Sequence, residues 1–255
     1  MPPWSIDRVD HYGRTVVSGG RAGRPPAARQ EQHTMSDESI TVDAGSAALL
    51  VVDMQPDFMP GGPLAAPEGD TLVEPIGRLM ASGLFRHIIA TQDWHPADHV
   101  SFASQQPGRS PFDTIELYGQ PQVLWPDHCV QDTPGAALHP DMPWRHATLV
   151  LRKATDPAVD SYSAFRSNHG PDGRRPPTGL AGYLRDHGVS EVFLCGLARD
   201  YCVKWSAEDG AAEGFACHFL WDLTRPVDPA ADDAVRRDLI GAGVRLVESS
   251  QLKGA

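Results

Sequence analysis

The chain has 255 residues, of which 41% are apolar and 22% charged, and this composition is typical of a globular protein. The formal net charge is −11, from 22 Lys and Arg against 33 Asp and Glu. This acidic balance argues against a nucleic-acid partner, which would need a basic surface. No apolar run approaches the ~18 residues of a membrane-spanning helix, so we also expect no membrane partner.

Cysteine usage indicates a reducing compartment. The cysteines Cys129, Cys195, Cys202 and Cys217 are too few for a disulfide framework in a chain of this length. Structural disulfides are rare in the cytoplasm, so we expect a cytoplasmic protein with free thiols. Cys195 and Cys217 fall inside predicted strands, and we interpret both as core residues.

The first 34 residues differ in composition from the rest of the chain. They are rich in Gly, Pro and Arg, and they lack the apolar stretch of ~7–15 residues that a signal peptide needs. We interpret residues 1–40 as a disordered extension and residues 41–255 as one folded domain. Met35 is an alternative translation start. A short regulatory tail is the alternative interpretation of the extension.

The body of the chain alternates between predicted strands and helices. The strands are short runs of Val, Ile and Leu with little polar alternation, a pattern typical of parallel strands buried on both faces. The strand predictions are Ala47–Asp53, His87–Asp93, Ala147–Lys153, Glu191–Leu197, Phe215–Asp222 and Val244–Glu248. The helix predictions are Thr71–Ser82, Leu180–His187, Tyr201–Glu213 and Ala231–Ala242. Together they predict a three-layer αβα fold around a doubly wound, mostly parallel six-stranded sheet.

Residues 94–146 form a long segment rich in Pro, Gly and His between two predicted strands. A loop of that length in a compact domain is usually functional. Ligands of open α/β sheets bind beyond the carboxyl ends of the strands. The candidate functional residues are therefore sought at those ends and in this loop.

Cys202 is a candidate nucleophile. It follows the predicted strand ending at Leu197, and we predict that a helix begins there with Asp200 as its N-cap. The positive end of the helix dipole would lower the pKa of the Cys202 thiol, and exposed backbone N–H groups could hold an oxyanion. A buried structural cysteine is the alternative interpretation.

Two charged residues end predicted strands and could serve such a nucleophile. Lys153 could stabilise a thiolate, and Asp53 could act as general base and then general acid. Each also has a plain structural interpretation. Lys153 could extend from the sheet edge into water, and Asp53 could cap the turn that follows its strand.

Asp93, His95 and His128 form a second candidate site. Residues two apart on an extended backbone point the same way, so Asp93 and His95 can converge, and His128 can approach from the long loop. Two imidazoles and one carboxylate suit Zn²⁺, Fe²⁺ or Mn²⁺. His99 is a candidate further ligand or supporting partner. Solvated loop histidines are the alternative.

Four motifs, read in order, resemble those of nicotinamidases (pyrazinamidases) of the isochorismatase-like cysteine hydrolase superfamily over roughly residues 46–250. The motifs are VDMQPDF at 52–58 with GGPL at 61–64, QDWHPADHVSF at 92–102, LWPDHCV at 124–130 and CGLARDYCV at 195–203. Lys153 followed by DSYSAF at 160–165 completes the pattern. Pro56 and Arg199 depart from it, because Asn and Thr are frequent at those two positions.

The resemblance implies a role for each candidate residue. It implies a catalytic triad of Asp53, Lys153 and Cys202 and a divalent metal held by Asp93, His95 and His128. It implies an oxyanion hole made by the backbone N–H groups of Ala198 and Cys202, with a cis peptide between Leu197 and Ala198. It also implies that Phe58, Leu64 and Trp125 form an apolar wall around a flat heteroaromatic ring, with ordinary core packing as the alternative.

The implied activity is hydrolysis of nicotinamide to nicotinate and ammonia through a thioester, as in NAD salvage, with pyrazinamide as a second substrate. The metal would bind the ring nitrogen. A homo-oligomer is left open. The alternatives are another amide or carbamoyl hydrolase of the superfamily that needs no metal, an isochorismate hydrolase, a non-haem iron oxygenase, and a non-catalytic relative. Isochorismate hydrolases lack the nucleophilic cysteine, and iron sites of that type usually lie on β-barrels.

Overall fold

The computed structural model describes residues 39–255, and a parallel sheet organises them. The strands are β1 (Ile40–Val42), β2 (Ala47–Val52), β3 (His87–Asp93), β4 (Thr114–Leu117), β5 (Gln120–Val123), β6 (Leu149–Lys153), β7 (Glu191–Leu197), β8 (Ala216–Arg225), β9 (Arg245–Val247) and β10 (Leu252–Gly254). The α-helices are α1 (Val73–Ala81), α2 (Leu180–Asp186), α3 (Lys204–Ala212) and α4 (Asp232–Gly241).

The main sheet has the strand order β6-β3-β2-β7-β8-β9, and every pairing in it is parallel. The chain enters at β2, builds outward through β3 to β6, and then returns to the other side of β2 with β7. The direction of winding therefore reverses between β2 and β7. Such a reversal opens a crevice at the carboxyl ends of the strands, where ligands of doubly wound sheets bind.

The predicted fold class is confirmed, and the six predicted strands are the six strands of the main sheet. Two small pairs were not predicted: β1 pairs with β10 in parallel, and β4 pairs with β5 in an antiparallel hairpin inside the long loop. Strand β6 departs from the expected continuous burial, because it lies at the sheet edge and alternates in exposure. Val150 on this strand is 46% exposed.

Two local predictions at the later strands were wrong. Asp200 is not an N-cap: a π-helical turn, Arg199–Val203, precedes α3, and Ala198 occupies the N-cap position. The Asp200 carboxylate instead accepts hydrogen bonds from the N–H groups of residues 227 and 228. Asp222 does not end its strand, because β8 continues to Arg225. Its carboxylate accepts hydrogen bonds from Ser249.

Backbone contact sets the spacing of the two central strands. Gly196 on β7 has φ of +108° and lies against Val52 on β2, where a Cβ atom would overlap the Val52 carbonyl oxygen. Glycine is therefore required at this position, both for its backbone angle and for the close approach. The approach occurs one strand position before Leu197, at the edge of the sheet where the candidate site lies.

Three further predictions concern the cysteines, membrane-spanning helices and the N-terminal extension. Cys195 and Cys217 are buried in β7 and β8, and all four cysteines are free thiols. Over residues 39–255 the structure contains no helix long and apolar enough to cross a membrane. The predicted N-terminal extension lies outside the described residues, except that Ile40 begins β1.

Candidate active site

The proposed triad residues come from three strands and meet at the carboxyl edge of the sheet. Asp53 follows β2, Lys153 ends β6, and Cys202 lies in the π-helical turn after β7. Lys153 Nζ lies 2.8 Å from Asp53 Oδ2 and 3.4 Å from Cys202 Sγ. All three side chains are buried. The thiol, the ammonium and the carboxylate are therefore close enough for a proton to pass between them.

The Asp53 carboxylate is held in place from the neighbouring strand. Thr91 on β3 donates a hydrogen bond from Oγ1 to Asp53 Oδ1 (2.6 Å) and accepts one from the Asp53 backbone N–H (3.1 Å). Asp53 has φ of +45°, a left-handed conformation that Asp tolerates better than most residues. Asp53 Oδ2 forms the ion pair with Lys153 and has no further hydrogen-bond partner among residues 39–255. That oxygen can take a proton.

Lys153 does not extend into water. Its ammonium forms ion pairs with both Asp53 and Asp93, and it donates to the Ser161 carbonyl oxygen at 3.1 Å. Burial alone would lower the pKa of this lysine, but the two carboxylates outweigh burial and raise it well above its usual value. Lys153 is therefore a permanent positive charge shared between the two candidate sites.

The pKa values of Asp53 and Cys202 both rise. Burial, helped by Asp93, raises the pKa of Asp53 to about 6 against the opposing charge of Lys153. Burial and the two nearby carboxylates also raise the pKa of Cys202 well above its usual value, and Lys153 offsets only part of this. This direction is opposite to the lowering expected from a helix N-terminus. A raised pKa favours the neutral thiol, with the Asp53 carboxylate beside it.

Asp93, His95 and His128 converge beside the triad, where Asp93 contacts Lys153. His95 Nε2 lies 3.6 Å and His128 Nε2 lies 3.9 Å from Asp93 Oδ2, and all three residues are buried. His128 Nδ1 donates to the Pro126 carbonyl oxygen at 2.8 Å, so its Nε2 presents a lone pair to the other two. Burial and the adjacent His95 lower the pKa of His128 to about 3. Neutral imidazoles are the form that binds metals.

The hydrogen bonding of these histidines fits a cation. Within residues 39–255, neither ring nitrogen of His95 has a hydrogen-bond partner, nor does His99 Nε2, and all are buried. Buried polar atoms are seldom left unpaired, and a bound cation would satisfy one ring nitrogen of His95. One ligand atom each from Asp93, His95 and His128 falls within 4.8 Å of the others. His95, His99 and Asp160 form an overlapping second group.

A pocket opens between the two clusters, with about 360 Å³ of empty space when the solvent at its mouth is included. Its lining includes every predicted metal ligand, both predicted oxyanion residues and the predicted apolar wall. The lining residues are Phe58, Leu64, Asp93, His95, Trp125, His128, Asp160, Tyr162, Ala198, Tyr201, Cys202 and Val227. The peptide between Leu197 and Ala198 is cis, as the resemblance implied. Asp53 and Lys153 lie behind this lining, in contact with Cys202 and Asp93.

Sequence reasoning missed several residues of this pocket. Tyr162 accepts hydrogen bonds at its hydroxyl from Trp125 Nε1 (3.1 Å) and Gln122 Nε2 (2.9 Å), which fixes the indole in the wall. Tyr201 packs edge-on against Trp125 with ring centroids 4.8 Å apart. Both tyrosines lie inside the quoted motifs, but only the tertiary fold turns their rings toward the pocket. Thr91, inside β3, carried no sequence signal.

A cysteine beside a buried lysine and aspartate, in the wall of a pocket at the switch point of a doubly wound sheet, defines a cysteine hydrolase type of site. A comparison with protein families agrees with this class. The family model described as "Isochorismatase domain" matches residues 47–251. The chain belongs to the isochorismatase family.

Individual proteins and solved structures that are similar to this chain point to a narrower group within the family. The chain is 44% identical over 203 residues to "Nicotinamidase" of Escherichia coli K12, which covers 78% of this chain and 93% of that protein. Among solved structures, Leishmania infantum "PnC1" in complex with nicotinate has a TM-score of 0.75 and 38% identity, covering 85% of this chain and 100% of that one. A Pyrococcus horikoshii pyrazinamidase in complex with zinc has a TM-score of 0.64 and 35% identity, covering 80% and 99%.

Proposed function

We propose that this protein is a nicotinamidase, which hydrolyses the carboxamide of nicotinamide to give nicotinate and ammonia. The observation that carries the proposal is the position of Cys202. Its sulfur lines the pocket, 3.4 Å from Lys153 Nζ and beside Asp53, while two histidines and Asp93 line the same pocket. A small amide is thus held between a nucleophile and a cation-binding group.

The pocket walls suit a flat heteroaromatic ring. Phe58, Leu64 and Trp125 supply apolar surface, and Tyr201 adds a second aromatic edge. Aromatic walls with few polar groups are typical of pockets that bind planar ligands. The ring of pyrazinamide has the same shape, so we expect pyrazinamide as a second substrate.

Asp93, His95 and His128 would hold one divalent cation, and His99 is a candidate fourth ligand. The donor set of one carboxylate and two or three imidazoles suits Zn²⁺, Fe²⁺ or Mn²⁺. When bound, such an ion supplies a Lewis acid that can bind a ring nitrogen and orient the carboxamide toward Cys202. Positioning of this kind can lower a reaction barrier by several kcal/mol.

Acylation uses the side chains already in contact. Asp53 accepts the thiol proton of Cys202, and Lys153 stabilises the thiolate through its contact with the sulfur. The thiolate attacks the carboxamide carbon, and the backbone N–H groups of Ala198 and Cys202 stabilise the resulting oxyanion. Asp53 then returns its proton to the leaving nitrogen, the C–N bond breaks, and ammonia leaves.

Deacylation repeats the proton transfers with water. Asp53 accepts a proton from a water molecule that attacks the thioester carbon, and the same oxyanion donors stabilise the second tetrahedral intermediate. The C–S bond breaks, the proton held by Asp53 returns to the Cys202 sulfur, and the carboxylic acid formed loses its remaining proton to solvent or to the released ammonia and leaves as nicotinate. The raised pKa of Asp53, about 6, suits a group that must both accept and return a proton near neutral pH.

The test is ammonia release from nicotinamide by purified protein, measured before and after metal removal with a chelator. We expect metal-dependent release in the wild type and none from Cys202→Ala. Cys217→Ala, which removes a buried thiol from β8 away from the pocket, should retain activity. Absence of release from folded, reduced, metal-loaded protein would overturn the proposal and favour another amide substrate.

A further inference from the structure

Arg199 follows Ala198 directly, and its side chain leaves the pocket for the neighbouring strand. The residue is buried, with 6% of its surface exposed. Its guanidinium donates to the carbonyl oxygens of Trp221 (3.1 Å) and Thr224 (2.7 Å) and to Thr224 Oγ1 (2.9 Å), all on β8. Burying a charged side chain is costly unless it is paired and hydrogen-bonded. These contacts are therefore what allow Arg199 to lie in the interior.

The partners of Arg199 lie where the β7–β8 ladder is irregular. Leu194 pairs with Phe219, but Gly196 pairs with Thr224, so β7 advances two residues while β8 advances five. The extra residues of β8 bulge out of the ladder, and their carbonyl groups need donors other than β7. Arg199 donates to the Trp221 carbonyl inside the bulge and to the Thr224 carbonyl, where pairing with β7 resumes, and so fastens the bulge to the turn after β7.

Two more contacts complete the attachment. Arg199 forms an ion pair with Asp232, the first residue of α4, at 2.7 Å. Its guanidinium also lies 4.1 Å from the centroid of the Trp221 ring. On the other side, the Ala198 carbonyl oxygen accepts hydrogen bonds from the N–H groups of Tyr201 and Val203 within the π-helical turn. The backbone at 198–199 is therefore held from both directions.

We infer that Arg199 is a positioning residue that orients the oxyanion-binding backbone at Ala198 by fastening it to the bulge of β8. The inference rests on the proposed function, because it assumes that Ala198 and Cys202 bind the oxyanion. Arg199 itself is not among the residues that line the pocket. Its effect is on the transition state, since oxyanion stabilisation depends on donor placement within a few tenths of an ångström.

The test compares Arg199→Ala with the wild type in metal-loaded protein. We expect kcat for nicotinamide to fall about tenfold to a hundredfold while KM stays within about twofold, because the ring-binding walls are untouched. Arg199→Lys should recover part of the loss, since an ammonium can still reach one carbonyl. Thr224→Val, which removes one acceptor of Arg199 and is milder for folding, should give a smaller loss in kcat.

A binding measurement separates positioning from general destabilisation. Pyridine-3-carbaldehyde forms a C–S bond to the Cys202 sulfur, and the thiol proton passes through Asp53 to the new hydroxyl oxygen, which then occupies the oxyanion position. Nicotinate forms no such bond. We expect Arg199→Ala to weaken binding of the aldehyde about tenfold or more while nicotinate binding is retained.

The control is Arg236→Ala, since Arg236 also packs on the Trp221 ring, at 3.5 Å, but bonds nothing in the turn. It should leave kcat and aldehyde affinity unchanged. Equal losses for aldehyde and nicotinate, or unchanged kcat in both Arg199→Lys and Thr224→Val, would overturn the inference while leaving the proposed function intact. Wild-type protein that neither hydrolyses nicotinamide nor binds the aldehyde would overturn both.

Discussion

Asp53 and Lys153 form a fully buried ion pair, with 2.8 Å between carboxylate oxygen and ammonium nitrogen, and the same ammonium contacts Asp93. Breaking a buried pair by removing one partner leaves an uncompensated charge, which is far more costly than losing a surface pair. Lys153 is therefore needed for the structure of the site as well as for the proposed chemistry. Variants that keep the shape of the pair give the clearest tests of mechanism.

Asp53→Asn keeps the shape of the side chain but removes the general base. We expect kcat/KM for nicotinamide to fall by about two to four orders of magnitude, because the raised pKa of Cys202 favours the neutral thiol, which needs a proton acceptor. Steady-state kinetics and thermal unfolding of the same sample measure the effect. Asp43→Asn, at an exposed turn, is the matched control. Near-normal activity in Asp53→Asn would rule out this base.

The pKa of Asp53, about 6, predicts an acid limb in the pH profile. Asp53 must be ionised to accept the thiol proton, so kcat/KM should be high above this pKa and fall as pH drops through about 6. Bound metal is measured at each pH, because protonated histidines also release metal. A profile flat down to about pH 5 with metal retained would contradict the assignment.

Removing one of the imidazoles proposed as metal ligands should remove the metal. His95→Ala and His128→Ala are expected to lose stoichiometric metal, measured by elemental analysis after dialysis, and to lose activity with it. His187→Ala, an exposed histidine, is the control. His99→Ala tests the fourth ligand: weaker metal binding supports that role, and unchanged affinity excludes it.

Tyr162→Phe removes the hydroxyl that accepts hydrogen bonds from Trp125 and Gln122. With the indole N–H unpaired, the pocket wall loosens, and we expect KM for nicotinamide to rise about three- to tenfold with little change in kcat. Tyr118→Phe also loses one hydroxyl hydrogen bond, to Ala158, outside the pocket lining, and should leave KM unchanged. A large fall in kcat with normal KM would argue against a wall function.

Glu208 on α3 predicts a pH-dependent stability. Burial raises its pKa to about 7, and Lys204, 3.6 Å away, offsets this only in part. The folded state holds the proton more tightly than the unfolded state, so this contribution to stability is complete below about pH 4.5 and is lost as pH rises through about 7. Glu208→Gln should therefore stabilise the protein at about pH 8, by roughly 1–3 kcal/mol, and not at about pH 5.

Glu213 provides the opposite control for that measurement. Hydrogen bonds and ion pairs from Arg185 and Arg166 lower the pKa of Glu213, so Glu213→Gln should destabilise the protein at neutral pH. Denaturant unfolding at both pH values reads out each variant. The Glu208 prediction fails if Glu208→Gln gives the same change in stability at acidic and alkaline pH.

Much of the architecture was predictable because burial on both faces leaves a plain mark on a sequence. Continuous apolar runs placed the six strands of the sheet, and the rule that ligands bind at carboxyl strand ends pointed to Asp53, Lys153 and Cys202 before any contact was known. The convergence of Asp93 and His95 followed from the two-residue repeat of an extended chain.

What escaped prediction depends on contacts between distant segments. Aspartate is a residue type favoured at helix N-caps, but the Asp200 carboxylate instead accepts hydrogen bonds from the backbone N–H groups of residues 227 and 228. The direction of the Cys202 pKa shift could not be seen from a helix start alone, because it depends on burial and on two carboxylates that Lys153 offsets only in part. Tyr162 became a wall residue only through its partners on other segments.

The close approach of Gly196 to the Val52 carbonyl has a consequence for how the site tolerates change. Asp53, the proposed base, follows one of these strands, and Cys202, the proposed nucleophile, follows the other. Main-chain atoms rather than side chains set the separation of the two strands. Substitutions that shrink side chains in the surrounding core should therefore reduce the melting temperature long before they alter turnover. Position 196 accepts no amino acid other than glycine. Because this backbone contact sets the spacing of the two strands, sequence changes elsewhere in the core leave the distance between Asp53 and Cys202 unchanged.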